Sequence, residues 1–208
     1  MPSSKTIARL SLYRRVLNRL LEQGKSNVFS HQLAQHVRGT AAQVRRDVMA
    51  IGYSGSPTRG YDIEQLIQSI GSFLDDPAGQ AVALVGIGNL GRALLAYFSG
   101  RRPRLSIVAA FDTDPAKVNR VIQGCRCYPT DKLAEVCRDK HITVGINAVP
   151  AGAAQETAEA MVEAGIVGIL NFAPIPLQLP DEIAVEDMDM TTALEMVAYL
   201  ARQKSRKG

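Results

Sequence analysis

The pattern of apolar and polar positions divides the chain into three zones. In residues 6–22 the apolar positions Ile7, Leu10, Leu12, Tyr13, Val16, Leu17, Leu20 and Leu21 recur at helical spacing, and Gly24 stops the run. Ser30 offers an N-cap to a short second helix over 31–37, Arg38-Gly39 turns the chain, and Thr40 caps a third helix that reaches about Ile51. Two short helices joined by a tight turn containing Gly predict a helix-turn-helix. In the third helix Val44, Val48 and Ile51 lie three or four apart and face inward, which leaves Gln43, Arg45 and Arg46 on or beside the outward face. Residues 52–61 are rich in Gly and Ser and carry one cation, Arg59. They predict a wing, a hairpin tip beyond the helices.

The middle zone changes period. Residues 81–85 are continuously apolar, as in a strand covered on both faces. They lead straight into Gly86-Ile87-Gly88-Asn89-Leu90-Gly91 and then a helical pattern through Phe98. A second strand over 105–111 ends at Asp112; further strands are expected over 142–149, 166–170 and 183–187, with a helix from about 153 to 164. This alternation predicts an α/β fold with a doubly wound parallel sheet of Rossmann type. A last amphipathic helix over 192–203 has the apolar face Leu194, Met196, Val197, Leu200 and Ala201, which something must cover, and the basic tail 202–208 is expected to fray. The break at Asp75-Asp76-Pro77-Ala78-Gly79 sets the organisation. A winged-helix domain with a connecting helix occupies 1–78, a dinucleotide-binding domain 79–190, and a C-terminal helix with its tail 191–208.

Charge sharpens the picture of the head. Residues 1–63 hold ten Lys or Arg against three Asp or Glu, although the whole chain is only +4. A basic head on a mildly acidic body suits a polyanion at the head. The Thr40 cap at a helix N-terminus suits a phosphate, Arg45 and Arg46 suit the O6/N7 edge of guanine, and Gln43 suits adenine. Arg59 on the wing would reach toward a groove. No apolar run is long enough to span a membrane, and the first residues lack a signal-peptide pattern, so a cytosolic protein is expected.

The glycine loop carries the chemistry of the body. Gly86 permits a tight turn, Gly88 lets backbone approach a pyrophosphate, and Gly91 lets the helix pack close to the strand. The free N–H groups of the helix start, around Ile87, Asn89 and Leu90, and the positive end of its dipole favour phosphate. Asp112, 21 residues beyond Gly91, stands where an acid accepts from both ribose hydroxyls and repels a 2′-phosphate. NAD(H) is therefore favoured over NADP(H). Val149-Pro150 and Asn171-Phe172, at strand ends, are candidates to line the nicotinamide side. Cys125, Cys127 and Cys137 match no zinc spacing and read as buried thiols, and His31 and His36 as packing or capping groups, so no metal is expected.

Together these stretches resemble the Rex family of redox-sensing transcriptional repressors. The resemblance rests on 9–15 in the first helix, Gln43-Val44-Arg45-Arg46-Asp47, Arg59-Gly60-Tyr61, the glycine loop, Phe111-Asp112-Thr113-Asp114-Pro115 and 168–174. The chain departs from the family pattern at Ala50-Ile51, where an aromatic pair is usual, at 54–57 of the wing, and at Met190, where an aromatic usually follows Asp189. The resemblance implies a repressor that binds a palindromic operator in double-stranded DNA when NADH is scarce relative to NAD⁺, and that NADH releases. It implies a homodimer with the last helix exchanged between subunits. It also implies a switch in which Asp189 pairs with Arg15 in the DNA-competent state and turns toward Tyr97 with NADH bound. The alternatives are an NAD-dependent oxidoreductase and a CoA-binding module. The first needs an acid or base beside the nicotinamide, and His141, the one histidine of the body, falls near the start of a strand. Asp112 and the basic head argue against the second.

Overall fold

A computed structural model describes residues 2–100 and 104–206, in two compact units that divide between Pro77 and Ala78. In the head, α1 (Ser4–Glu22), β1 (Asn27–Val28), α2 (Ser30–His36), α3 (Ala41–Ala50), β2 (Tyr61–Asp62) and α4 (Ile63–Leu74) follow in order. Leu10, Tyr13 and Leu17 of α1, Val44 and Val48 of α3, and Ile63, Leu66 and Ile70 of α4 close one core. The connecting helix of the head is α4, and it is also a wall of that core, its N-terminus capped by the Asp62 carboxylate, which accepts from Gln65 N at 2.9 Å.

One local expectation is corrected. Ser30 is not the cap of α2. The cap position is Phe29, whose N–H donates to Gln32 Oε1 at 2.9 Å, while the Ser30 hydroxyl, one residue inside the helix, accepts from Arg45 Nη1 at 3.1 Å. The wing tip is a tight hairpin turn. Ser56 and Gly60 exchange both backbone hydrogen bonds at 2.8 Å, and the chain then pairs Tyr61–Asp62 antiparallel with Asn27–Val28 rather than with the residues just before the tip.

The body runs β3 (Gln80–Val85), α5 (Asn89–Phe98), β4 (Leu105–Asp112), β5 (Val121–Ile122), β6 (Cys125–Pro129), α6 (Leu133–Asp139), β7 (Val144–Asn147), α7 (Ala151–Glu163), β8 (Gly168–Asn171), β9 (Ala184–Asp187) and α8 (Met190–Ser205). The sheet order is β5-β6-β4-β3-β7-β8-β9, all parallel except the edge pair β5-β6. Without β5 the order is that of a Rossmann sheet, and its switch point lies between β3 and β7. Alternation along β3 feeds two cores. Ala83 and Val85 join α6 and α7 residues such as Val136 and Met161, while Val82 and Leu84 join Leu94 and Leu95 of α5. β7 is shorter than the expected 142–149. After Asn147 the chain bonds Ala148 N to Val85 O and turns out of the sheet, which frees Val149 to stand beside the glycine loop.

α8 differs from the other α-helices of the body in burying none of its residues; Leu194, Val197 and Leu200 form an exposed apolar stripe. It continues to Ser205, so the tail expected to fray from 202 is helical for most of its length, and residues 207–208 lie outside the described residues. No helix is long and apolar enough to cross a membrane, and no group of three or more His, Cys, Asp or Glu comes together as a metal site among the described residues.

Candidate nucleotide cavity and nucleic-acid interface

The body opens a cavity of about 520 Å³ at the carboxyl ends of β3, β4 and β7. Its floor is the glycine loop. Gly86 has φ +96°, and a Cβ there would lie 2.6 Å from the Ala148 carbonyl oxygen. A Cβ at Gly91 would collide with the Gly86 carbonyl, so the turn and the start of α5 close only with both glycines. Gly88, the N-cap of α5, is different: a Cβ there would meet nothing within 4 Å. That open space faces a helix N-terminus with no side-chain cap, a geometry that accepts a phosphate on free N–H groups. Asn89 and Leu90 line the same cavity, as do Val149 and Pro150; Ile87 is buried beneath it.

Asp112 closes the loop as well as lining the cavity. Its Oδ2 accepts from Ile87 N at 2.8 Å and from Lys117 Nζ at 3.1 Å, and its Oδ1 from Asp114 N at 2.8 Å. Burial pushes this carboxyl up, but the two N–H groups and the ammonium outweigh it and hold the group below the ordinary carboxylate range. Only part of the acceptor capacity expected for a ribose is therefore left. Asp114, more exposed and 3.5 Å from the same ammonium, is a second carboxylate on this wall. Sequence reasoning missed Asp114, Lys117, Thr130 and Thr157 as cavity residues. A DxD with Lys five residues after its first acid was the available signal for the first two.

The cysteines lie elsewhere. Cys125, Cys127 and Cys137 are free and buried, and burial pushes the Cys125 thiol up to about 11, so it holds little thiolate at neutral pH.

In the head, Thr40 caps α3, its hydroxyl accepting from Gln43 N at 3.2 Å. Arg45, Arg46 and Met49 stand on the exposed face of the helix. Arg59 is exposed at the wing tip, and Arg45 and Met49 form one wall of a cavity of about 390 Å³ whose other wall includes Tyr53 and Pro57. Gln43 is not free on this face: its Nε2 donates to Asp47 Oδ1 at 2.8 Å and its Oε1 accepts from Arg46 Nη2 at 3.0 Å. Behind it Asp47, 2% exposed, accepts from Arg9 Nε at 2.6 Å, Arg9 Nη2 at 2.8 Å and the Tyr13 hydroxyl at 2.8 Å. Sequence reasoning used Asp47 only as part of a motif; a lone acid in the middle of a basic helix was the signal that it has an internal partner.

The three switch candidates are distributed between the units. Arg15 is exposed on α1 in the head. In the body Tyr97 is exposed on α5, its ring edge-on to Phe98 at 5.1 Å. Asp189 caps α8, accepting from Thr191 N, Thr192 N and the Thr192 hydroxyl, and the hydroxyl bond above all holds its carboxyl below the ordinary range.

Fold and site define a class: a dinucleotide-binding type of Rossmann body carrying a helix-turn-helix head. Comparison with known proteins agrees on both halves. The model of a CoA binding domain matches residues 79–175, and that of a putative DNA-binding protein N-terminus matches 3–48. The redox-sensing transcriptional repressor Rex of Carboxydothermus hydrogenoformans is 40% identical over 95% of each chain. That of Chloroflexus aurantiacus is 40% identical over 98% of this chain and 97% of its own. The crystal structure of RSP in complex with β-NAD⁺ and operator DNA superposes with a TM-score of 0.89 at 29% identity, covering 99% of this chain and 94% of that one. RSP in complex with β-NADH gives 0.85 at 28% identity, over 99% and 96%. The chain belongs to the Rex family of redox-sensing transcriptional repressors.

Proposed function

We propose that this chain is an NADH-responsive repressor: a homodimer that holds a palindromic operator while NADH is scarce and leaves it when NADH fills the body. One observation carries the reading. A single chain, similar over nearly its whole length to Rex proteins, joins an open helix N-terminus at Gly88 to a head with two exposed arginines on α3. The head uses Arg45, Arg46 and Arg59 on DNA, with the Thr40 end of α3 toward a phosphate. The body holds the pyrophosphate on the N–H groups at the start of α5, the ribose at Asp112 and Asp114, and the nicotinamide near Val149 and Pro150. The exposed stripe of α8 is covered by a second copy. Its place of work is the cytoplasm, with the chromosome.

NAD⁺ carries a charged planar ring and NADH a neutral one, and the two shapes of the dimer must hold NADH unequally for release to follow. Arg15, Tyr97 and Asp189 serve that difference: Asp189 turns between Arg15 and Tyr97 as the shapes exchange. Because half-sites are set one DNA turn apart, a modest rotation of the heads ends simultaneous binding. The test is fluorescence anisotropy on a duplex selected from a random pool. NADH is expected to release the duplex at concentrations where NAD⁺ leaves it bound; equal release by both refutes the proposal.

The same cavity discriminates against NADP(H). Two carboxylates face one ammonium at the ribose wall, and the Asp112 acceptors left over suit a hydroxyl and repel a phosphate. NADPH is expected to bind at least about tenfold more weakly than NADH, roughly 1.4 kcal/mol, measured by quenching or calorimetry. Equal affinity removes the ribose role of Asp112 and Asp114.

The regulatory reading is favoured over an oxidoreductase by where the titratable groups stand. Asp112, Asp114 and Lys117 are paired with one another at the ribose wall, and His141 precedes β7, at the far end of the strand from the cavity. Steady NADH oxidation with any of a panel of ketones would favour the enzyme.

A further inference from the structure

The outward face of α3 is built on a buried charge. Asp47 is an acceptor only, and its carboxylate is held by one edge of Arg9 through Nε and Nη2, by the Tyr13 hydroxyl and by Gln43. Burial pushes the Asp47 carboxyl up, but these donors outweigh it and keep it below the ordinary range, so it is an anion at neutral pH. An anion beside the Gln43 amide fixes which way the amide points. The NH₂ must face inward to Asp47, and the carbonyl oxygen must face the surface, where it accepts from Arg46.

Reading adenine asks a glutamine for both its donor and its acceptor at once. Here both ends are already engaged, the inner one by a carboxylate that is 2% exposed. We infer that Gln43 is a positioning residue, not a base reader: it holds the Arg46 guanidinium over the recognition face so that Arg46 meets a guanine edge already oriented. The chain Arg9–Asp47–Gln43–Arg46 carries the rigidity of the α1–α3 core to the surface. An arginine so held loses less side-chain freedom on binding than one free in water. Arg45 gets a separate tether, from Nη1 to Ser30 Oγ at 3.1 Å, so the two arginines are fixed from different helices.

The inference rests on the head being the DNA reader, and the experiment separates the two. With the full chain and a duplex selected from a random pool, each base pair of one half-site is varied for wild type, Gln43→Leu, Arg46→Ala and the double variant. Gln43→Leu leaves Asp47 its Arg9 and Tyr13 partners; Gln43→Ala, which cannot overpack, is read alongside. Expected is a loss of about tenfold in discrimination by Gln43→Leu at the same G·C pair that Arg46→Ala affects. No change is expected at adenine positions, and the double variant should be no worse than Arg46→Ala. Loss at a separate A·T pair, additive effects, or an Arg46→Ala that weakens all duplexes alike overturns the positioning role. A wild-type chain that selects no duplex defeats the reading of the head itself.

Discussion

Replacing Asp47 with alanine is expected to lower the unfolding midpoint of the head by roughly 15–30 °C. Asp47 ties α3 to α1 through Arg9 and Tyr13, and its carboxylate is almost fully enclosed. Removing one partner of such a pair costs about 3–5 kcal/mol, because the donors left behind were desolvated for it. A unit of this size holds only roughly 4–12 kcal/mol in all. The pH dependence has a definite sign. The folded carboxyl sits below its ordinary value, so its contribution is fully present above the unfolded pKa of about 4 and is lost as pH falls through the lower folded value. Tyr13 works at the other end. Burial first, and then the Asp47 anion, raises its hydroxyl, so that part of the stability is present below the ordinary tyrosine range and lost as pH rises through the raised value. Circular dichroism of wild type and Asp47→Asn from pH 7 down to 2 checks the acid limb. The wild-type head should lose stability below about pH 4 while the variant, weaker at neutral pH, changes less. A midpoint moved by under 5 °C would show that packing alone holds α3 to α1.

Why some of this was readable and some was not follows from what each feature depends on. The glycine loop was legible because its requirements are local: backbone at Gly86 and Gly91 collides with any Cβ, and that constraint leaves a mark in the sequence. The inward faces of α1 and α3 were legible because burial at helical spacing is periodic. β5, β6 and α6 were not anticipated. β6 lies toward one edge and alternates buried Cys125 and Cys127 with exposed Arg126, so it lacks the continuous apolar run that marks β3 as a strand covered on both faces. Side-chain networks were illegible for a different reason. Gln43 and Asp47 are one helical turn apart, so their contact could be guessed, but Arg9 and Asp47 are 38 positions apart and meet only once the core has formed. The same holds for Asp112, whose bond to Ile87 N joins the glycine loop to the end of β4, 25 residues away, and turns an expected ribose ligand into a clasp on the loop as well.

Two charges placed on α8 are expected to break the dimer and with it operator binding. Leu194 and Val197 are 69% and 58% exposed in the single chain, one helical step apart on the stripe that includes Leu200. A glutamate at each costs an isolated subunit little, since neither side chain is buried there; a wild-type-like thermal midpoint of the body is the control. In a dimer that covers the stripe, the same glutamates would be desolvated without partners, a cost of several kcal/mol. Sedimentation should therefore give half the mass for the Leu194→Glu, Val197→Glu chain. Two heads joined in one dimer hold two half-sites with the second contact made at high effective concentration, so separating them should weaken operator binding by roughly 10²–10⁴-fold. Binding of NADH to the separated body tests how far the cavity is complete within one chain, since the glycine loop, Asp112 and Val149 all come from the same subunit. A doubly charged chain that keeps its dimer mass and its operator affinity would remove α8 from the interface and require another surface to bring the two heads to the palindrome.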